Sequence, residues 1–347
     1  MQPIYNPNLD YQTNFDQGPF FTDQIPARNF PPESAWIDFL GHKIASRIGV
    51  PAGPLLNSKW IALAGQLGFD VVTYKTIRTQ KYASHLLPNI TFVNANLNLE
   101  NLNTPLVAQP TETSGITNSF GMPSQPPDFL REDITKAKES LKPGQLLIVS
   151  AVGTPRPDED FTADFIEAVR LAKSYGASVV EANFSCPNVC TGEGSLYTNP
   201  ETVTDLSTKL VAALRNTPLI LKIGFFRDQA IMRQVFIAAA NAGAKGISGL
   251  NSVAMKVIDE TGEPVLGPDR LTSGVCGSPI RELALQFVRD ARTIIDEEKL
   301  DLVLIGVGGV TEPQHFQDLL DAGADLAMSA TGMMWDPYLA QKFHSLT

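Results

Sequence analysis

Eight short apolar runs, each followed by a longer stretch with helical spacing, predict an α/β protein built as a closed (β/α)8 barrel. The runs fall at 47–52, 70–75, 145–151, 178–183, 218–223, 245–250, 302–306 and 325–329, and the helical stretches at 58–67, 128–140, 159–175, 200–215, 228–241, 280–297, 312–322 and 336–344. Glycine clusters after the seventh and eighth runs are a second observation, because such barrels bind phosphate in those two loops. The third is size: 347 residues with 43% hydrophobic content suit one barrel with insertions. A doubly wound open sheet is the competing fold.

Ahead of the barrel, which is expected to span 46–347, residues 1–45 read as an extended arm. Prolines stand at 3, 7, 19, 26, 31 and 32, and Arg28 is the arm's one basic side chain before residue 40. Tyr5, Tyr11, Phe15, Phe20, Phe21, Phe30, Trp36 and Phe39 are too many aromatics for a disordered segment. The arm is expected to lie on the barrel or on a second subunit.

The first run ends in Pro51-Ala52-Gly53. The second carries a lysine, Val72-Thr73-Tyr74-Lys75-Thr76, as does the fifth, Leu219-Ile220-Leu221-Lys222-Ile223-Gly224. An ammonium inside an apolar strand must find a partner or lose its charge, although a lysine at a strand edge also snorkels to solvent. The fourth run, Val179-Val180-Glu181-Ala182-Asn183, breaks into Phe184-Ser185-Cys186-Pro187-Asn188, a polar turn stiffened by proline behind a thiol. An isolated cysteine there is more often a small packed side chain than a reactive one. Residues 76–127 and 251–279 are too long for simple turns and are expected to rise over the same barrel face. They hold Asn118-Ser119-Phe120-Gly121-Met122-Pro123, Asn251-Ser252 after Leu250, and Gly274-Val275-Cys276-Gly277. The phosphate candidates are Gly306-Val307-Gly308-Gly309 and Ser329-Ala330-Thr331-Gly332.

The net charge of -10 repels nucleic acid and anionic lipid, so an anionic substrate needs a local cation. Three cysteines are too few for a disulfide scaffold or a four-cysteine metal site. No run approaches the ~18 apolar residues of a spanning helix. A soluble, cytoplasmic protein without nucleic-acid or membrane partners is expected.

Asn183-Phe184-Ser185-Cys186-Pro187-Asn188 resembles the signature after the fourth strand of the dihydroorotate dehydrogenases, with the cysteine of their soluble class where the membrane class has serine. The resemblance extends over roughly residues 46–335. It implies FMN, with its phosphate at Gly277, Gly308, Gly309, Ala330 and Thr331, its ring against Ala52, Gly53, Thr76, Asn183 and Leu250, and Lys222 at the N1/O2 side. Lys75 is implied to lie against both flavin and substrate carboxylate. Asn118, Asn183, Asn188 and Asn251, with Gly121, Met122 and Ser252, are implied to surround the substrate, since asparagine offers donor and acceptor to a cyclic imide. Cys186 is implied as the general base that takes the C5 proton of dihydroorotate as hydride leaves C6 for flavin N5. A homodimer and fumarate as electron acceptor go with the soluble class. The chain departs from the pattern in its arm, in Met122 for leucine, in Ala330 for glycine, and in the loop Thr191-Gly192-Glu193-Gly194-Ser195. Alternatives are a dihydropyrimidine dehydrogenase-like enzyme, which typically has histidine at the place of Asn188, a tRNA dihydrouridine synthase, which adds a basic region, and a flavin-binding protein without turnover.

Overall fold

A computed structural model describes residues 3–185 and 196–346. Eight parallel strands close into a barrel: Ile48–Val50, Val71–Ile77, Leu146–Ala151, Val179–Asn183, Leu219–Lys222, Gly246–Gly249, Val303–Val307 and Leu326–Met328. They follow one another around the barrel in chain order, and the eighth pairs with the first through Ala327 against Ile48. Strands buried on both faces, as Leu146–Ala151 is throughout, read as unbroken apolar runs, which is why they are visible in the sequence. The intervening helices start where a polar side chain satisfies the first free amides: Asn57 before Ser58–Gln66, Asp160 before Phe161–Ser174, Asn199 before Pro200–Leu214 and Asp228 before Gln229–Asn241.

The segment ahead of the barrel is not extended throughout. It contains a helix, Tyr11–Gln17, capped by Asp10, and a hairpin pairing Ile37–Phe39 with His42–Ile44. Asn14 explains the turn into that helix, because its buried amide bonds the amide and carbonyl of Asn6 and the carbonyls of Leu9 and Asp10. Phe39 and Ile44 are buried against Val71, Leu146, Val179 and Leu326, the first residues of barrel strands, so the hairpin stoppers the barrel's N-terminal end. Tyr5, Tyr11 and Phe15 are buried in the main core of the same chain, beside Trp60. Burial of these aromatics thus needs no second subunit.

The two long connections fold together. Strands Ile90–Val93, Leu106–Gln109 and Gly115–Asn118 from the first, and Val253–Met255, Val257–Ile258 and Ser273–Gly277 from the second, form one six-stranded sheet. Gly115–Asn118 runs antiparallel to Gly274–Gly277, with Asn118 opposite Gly274. Hydrogen bonding across two insertions far apart in sequence makes a single roof beside the strands' C-terminal ends.

Arg28 fastens the N-terminal segment to the barrel. Its guanidinium holds the carboxylate of Asp70 with Nη1 to Oδ1 at 2.5 Å and Nη2 to Oδ2 at 2.8 Å, and the Asp70 side chain is fully buried. Ser46 Oγ donates to the same carboxylate at 2.5 Å. Removing one partner of such a pair strands a buried charge, which costs about 3–5 kcal/mol. Arg28→Ala is therefore expected to lower unfolding free energy by about that much in urea titrations, and Arg28→Met with Asp70→Leu by less than the single change. A loss below about 1 kcal/mol for Arg28→Ala, the range of an exposed pair, would show that the pair does not anchor the segment.

Candidate active site

A cavity of about 1480 Å³ opens at the C-terminal ends of the barrel strands. Ala52 and Gly53 enter it after the first strand, Lys75 and Thr76 from the second, Asn183 from the fourth and Lys222 from the fifth. Leu250, Asn251 and Ser252 follow the sixth, Gly308 and Gly309 the seventh, and Ala330 and Thr331 the eighth. The roof supplies Asn118, Gly121, Met122 and Gly277. Every site residue expected from sequence and described by the structure thus lines one cavity. Cys186, Asn188 and the Thr191–Ser195 loop lie outside the described residues.

Backbone conformation accounts for the glycines at one end. Gly277, Gly308 and Gly309 have φ of 81°, 123° and 74°, a region that L side chains rarely enter. A Cβ on Gly309 would also lie 2.3 Å from the Cα of Arg281, and one on Gly277 2.1 Å from the carbonyl oxygen of Ser114. Only glycine lets these three turns meet.

Two ammonium groups stand apart from the glycines. Lys222 is buried, and its Nζ makes one long hydrogen bond, 3.4 Å, to Ser248 Oγ. Burial pulls its pKa down from the ordinary lysine value, and the nearby Glu181 carboxylate, itself buried, opposes that shift. Lys75 is half-buried; its Nζ donates to the carbonyl of Gly53 at 3.2 Å and lies over the ring of Phe120, 5.9 Å from its centroid. Desolvation lowers its pKa to about 8. Among the described residues neither lysine has a carboxylate within ion-pair distance.

The amides are linked. Asn183 Oδ1 accepts from Ser185 N at 3.2 Å and Ser185 Oγ at 2.8 Å, and Ser185 Oγ accepts from Asn251 Nδ2 at 2.5 Å. Asn183 Nδ2 points to Met122 Sδ at 3.4 Å. Asn118 donates to the carbonyl of Gly274 and to Cys276 Sγ, each at 3.3 Å, which leaves its carbonyl for a ligand. Burial pushes the Cys276 thiol up to about 11, which favours the protonated thiol at neutral pH.

Several lining groups were not singled out from sequence. Glu181 had a signal, a charge in the middle of an apolar strand. Ser185 had none, nor did Ser248, which lies behind Lys222 and does not line the cavity, since serine is common at strand ends and their bonds depend on tertiary placement. Arg270, which donates to the carbonyl of Pro88 at 2.7 Å and ties the two roof insertions, and Phe120, beneath Lys75, are also defined only by the fold.

A family model described as dihydroorotate dehydrogenase matches residues 100–345. The dihydroorotate dehydrogenase of Dictyostelium discoideum is 45% identical over 99% of this chain and 97% of its own length. The chain belongs to the dihydroorotate dehydrogenase family. More distant relatives include the catalytic subunit of a dihydroorotate dehydrogenase B (NAD(+)) of Bacillus thuringiensis, 29% identical over 68% of this chain and 71% of that one. A Pediococcus pentosaceus protein named as a dihydroorotate dehydrogenase A (fumarate) is 29% identical over 56% of this chain and 60% of that one. Dihydroorotate dehydrogenases are flavin-dependent, and the cavity fits that requirement: glycine turns suited to close approach of a phosphate at one end, and two cations with unfilled bonding capacity. Among the described residues no helix is long and apolar enough to cross a membrane.

The Lys75 pKa gives a test with a definite sign. Below about pH 8 the free side chain is already charged, whereas above it the free amine is neutral and an anionic ligand must recharge it. Orotate binding to the flavin-loaded protein is expected to take up more protons near pH 9 than near pH 6.5, read from the buffer dependence of the calorimetric enthalpy. Lys75→Met should abolish the uptake. Equal proton counts at both pH values in the unaltered protein would contradict the expectation that Lys75 meets the ligand's carboxylate.

Proposed function

We propose that the protein oxidises dihydroorotate to orotate in pyrimidine synthesis, using FMN, with Cys186 as general base. The observation that carries this reading is the convergence of Lys75, Lys222, Asn183, Asn251 and the three glycine turns on one cavity, in a chain 45% identical to a dihydroorotate dehydrogenase over nearly its whole length.

Gly277, Gly308, Gly309, Ala330 and Thr331 would hold the FMN phosphate, where the backbone can approach closely. Ala52, Gly53, Thr76, Asn183 and Leu250 would line the ring, with Lys222 at its N1/O2 side. When bound, FMN supplies the hydride acceptor. Lys75 neutralises the substrate carboxylate, a task made necessary by the chain's net charge of -10. Asn118, Asn188, Asn251 and Ser252 orient the imide edge, and Gly121 and Met122 close over it. Cys186 takes the proton from C5; a thiol with an ordinary pKa of ~8.5 needs only a modest shift to act near neutral pH. Lys222 keeps positive charge beside the site where negative charge accumulates, in surroundings dry enough to make that charge effective.

Fumarate is the electron acceptor this reading assigns, in line with the cysteine-using class and with the fumarate-type relative. Three cysteines in the whole chain leave no room for an iron–sulfur centre of its own, so transfer to NAD would require another subunit.

Anaerobic addition of dihydroorotate should bleach the flavin, one equivalent per chain, and fumarate should restore the colour. Cys186→Ser should keep FMN and orotate affinity while slowing the bleaching by about 10²–10⁴, the contribution of a placed general base. Cys276→Ser should not slow it comparably. Wild-type speed in Cys186→Ser by stopped flow would remove the base assignment, and purification with FAD would remove the cofactor assignment.

A further inference from the structure

Phe120 belongs to the roof insertion, yet its ring lies between the cavity and the N-terminal segment. Tyr5 meets it at a centroid separation of 6.1 Å and an interplanar angle of 79°, and Tyr11 at 6.0 Å and 60°. The same ring lies under the Lys75 ammonium. Tyr5 in turn packs on Trp60 at 6.1 Å and Tyr11 on Phe15 at 6.2 Å, so Phe120 rests on a bank of buried rings.

That bank is fixed. Ile4 N donates to the carbonyl of Met334 at 3.0 Å, Asn57 Nδ2 to the carbonyl of Phe15 at 2.7 Å, and Lys59 Nζ to the carbonyl of Asp16 at 2.6 Å. The Tyr5 hydroxyl, though buried, has no hydrogen-bond partner among the described residues, so the position uses the ring and not the hydroxyl.

We propose that Phe120, braced by Tyr5 and Tyr11, is a positioning residue for the Lys75 ammonium, which makes the N-terminal segment part of the substrate-carboxylate site. The inference rests on the reading of Lys75 given under Proposed function. A cation over an aromatic face is attracted by the ring quadrupole. Lysine has a long flexible stem, and a ring that restricts it lowers the entropy lost when the ammonium meets a carboxylate. Without the two tyrosines the Phe120 side chain has room to turn away, and that restraint is lost.

The test uses the full-length flavin-loaded protein with orotate and uracil as probes, the second lacking the carboxylate. In Tyr5→Leu with Tyr11→Leu, the orotate Kd and the dihydroorotate KM should rise about 5- to 30-fold, the scale of a lost cation–π contact, with kcat held within about threefold and uracil affinity within about twofold. Tyr5→Phe with Tyr11→Phe, which keeps both rings, should return orotate affinity to wild type. If the leucine pair does not fold, Phe120→Leu carries the same expectations. Unchanged orotate affinity in the folded leucine variants overturns the inference, as does an equal loss for uracil, or a loss in the phenylalanine pair as large as in the leucine pair. A wild-type protein that binds flavin but not orotate overturns the functional reading together with the inference; wild-type binding with unaffected variants overturns the inference alone.

Discussion

A single antiparallel register, Gly115–Asn118 against Gly274–Gly277, holds the candidate site together. At one end of this ladder Asn118 lines the cavity, and at the other Gly277 joins the glycine turns. The buried bond between Thr117 Oγ1 and Ser273 Oγ, 2.6 Å, fixes the alignment, and a parallel pair, Val257–Ile258 with Leu106–Val107, fastens the insertions a second time. Side chains alternate across a strand, so a slip of one residue would turn Asn118 away from the cavity and move Gly277 off its position at φ 81°. The roof does more than cover the barrel: it supplies the site residues that the strand ends do not.

Charge sets the second constraint. In an acidic chain, burying Lys222 with one long bond among the described residues and pushing Lys75 to about 8 costs free energy in the unliganded protein. Groups held this way cluster at functional sites, because the ligand supplies the compensating charge. Glu181 opposes the downward shift of Lys222, and the Phe120 ring lies 5.9 Å from the Lys75 ammonium. In the proposed reading, selectivity for a carboxylated ring over a neutral one would follow from which ammonium is otherwise left uncompensated.

Most of the barrel was legible because its strands are buried on both faces. Runs such as Leu146–Ala151 carry their own signal, and the caps Asn57, Asp160, Asn199 and Asp228 mark helix starts independently. The site residues were legible because they stand at the ends of those runs. What sequence could not give was pairing between distant segments. The six-stranded roof, the Arg28–Asp70 pair and the ring contacts of Phe120 depend on residues tens to over a hundred positions apart, with no local periodicity to betray them. The N-terminal segment misled for another reason: frequent prolines suggested an extended path, but the helix Tyr11–Gln17 lies between Pro7 and Pro19, and Asn14 supplies its turn by side-chain bonds. Its aromatics did correctly indicate burial.

The proposed site has a direction, with phosphate at the glycine end of the cavity and carboxylate at Lys75. A crystal structure of the protein with FMN and orotate tests it most directly. The FMN phosphate is expected within hydrogen-bond distance of backbone amides among Gly277, Gly308, Gly309, Ala330 and Thr331, and the orotate carboxylate in contact with Lys75 Nζ. A phosphate bound away from those turns, or an orotate whose carboxylate points away from Lys75, would contradict it.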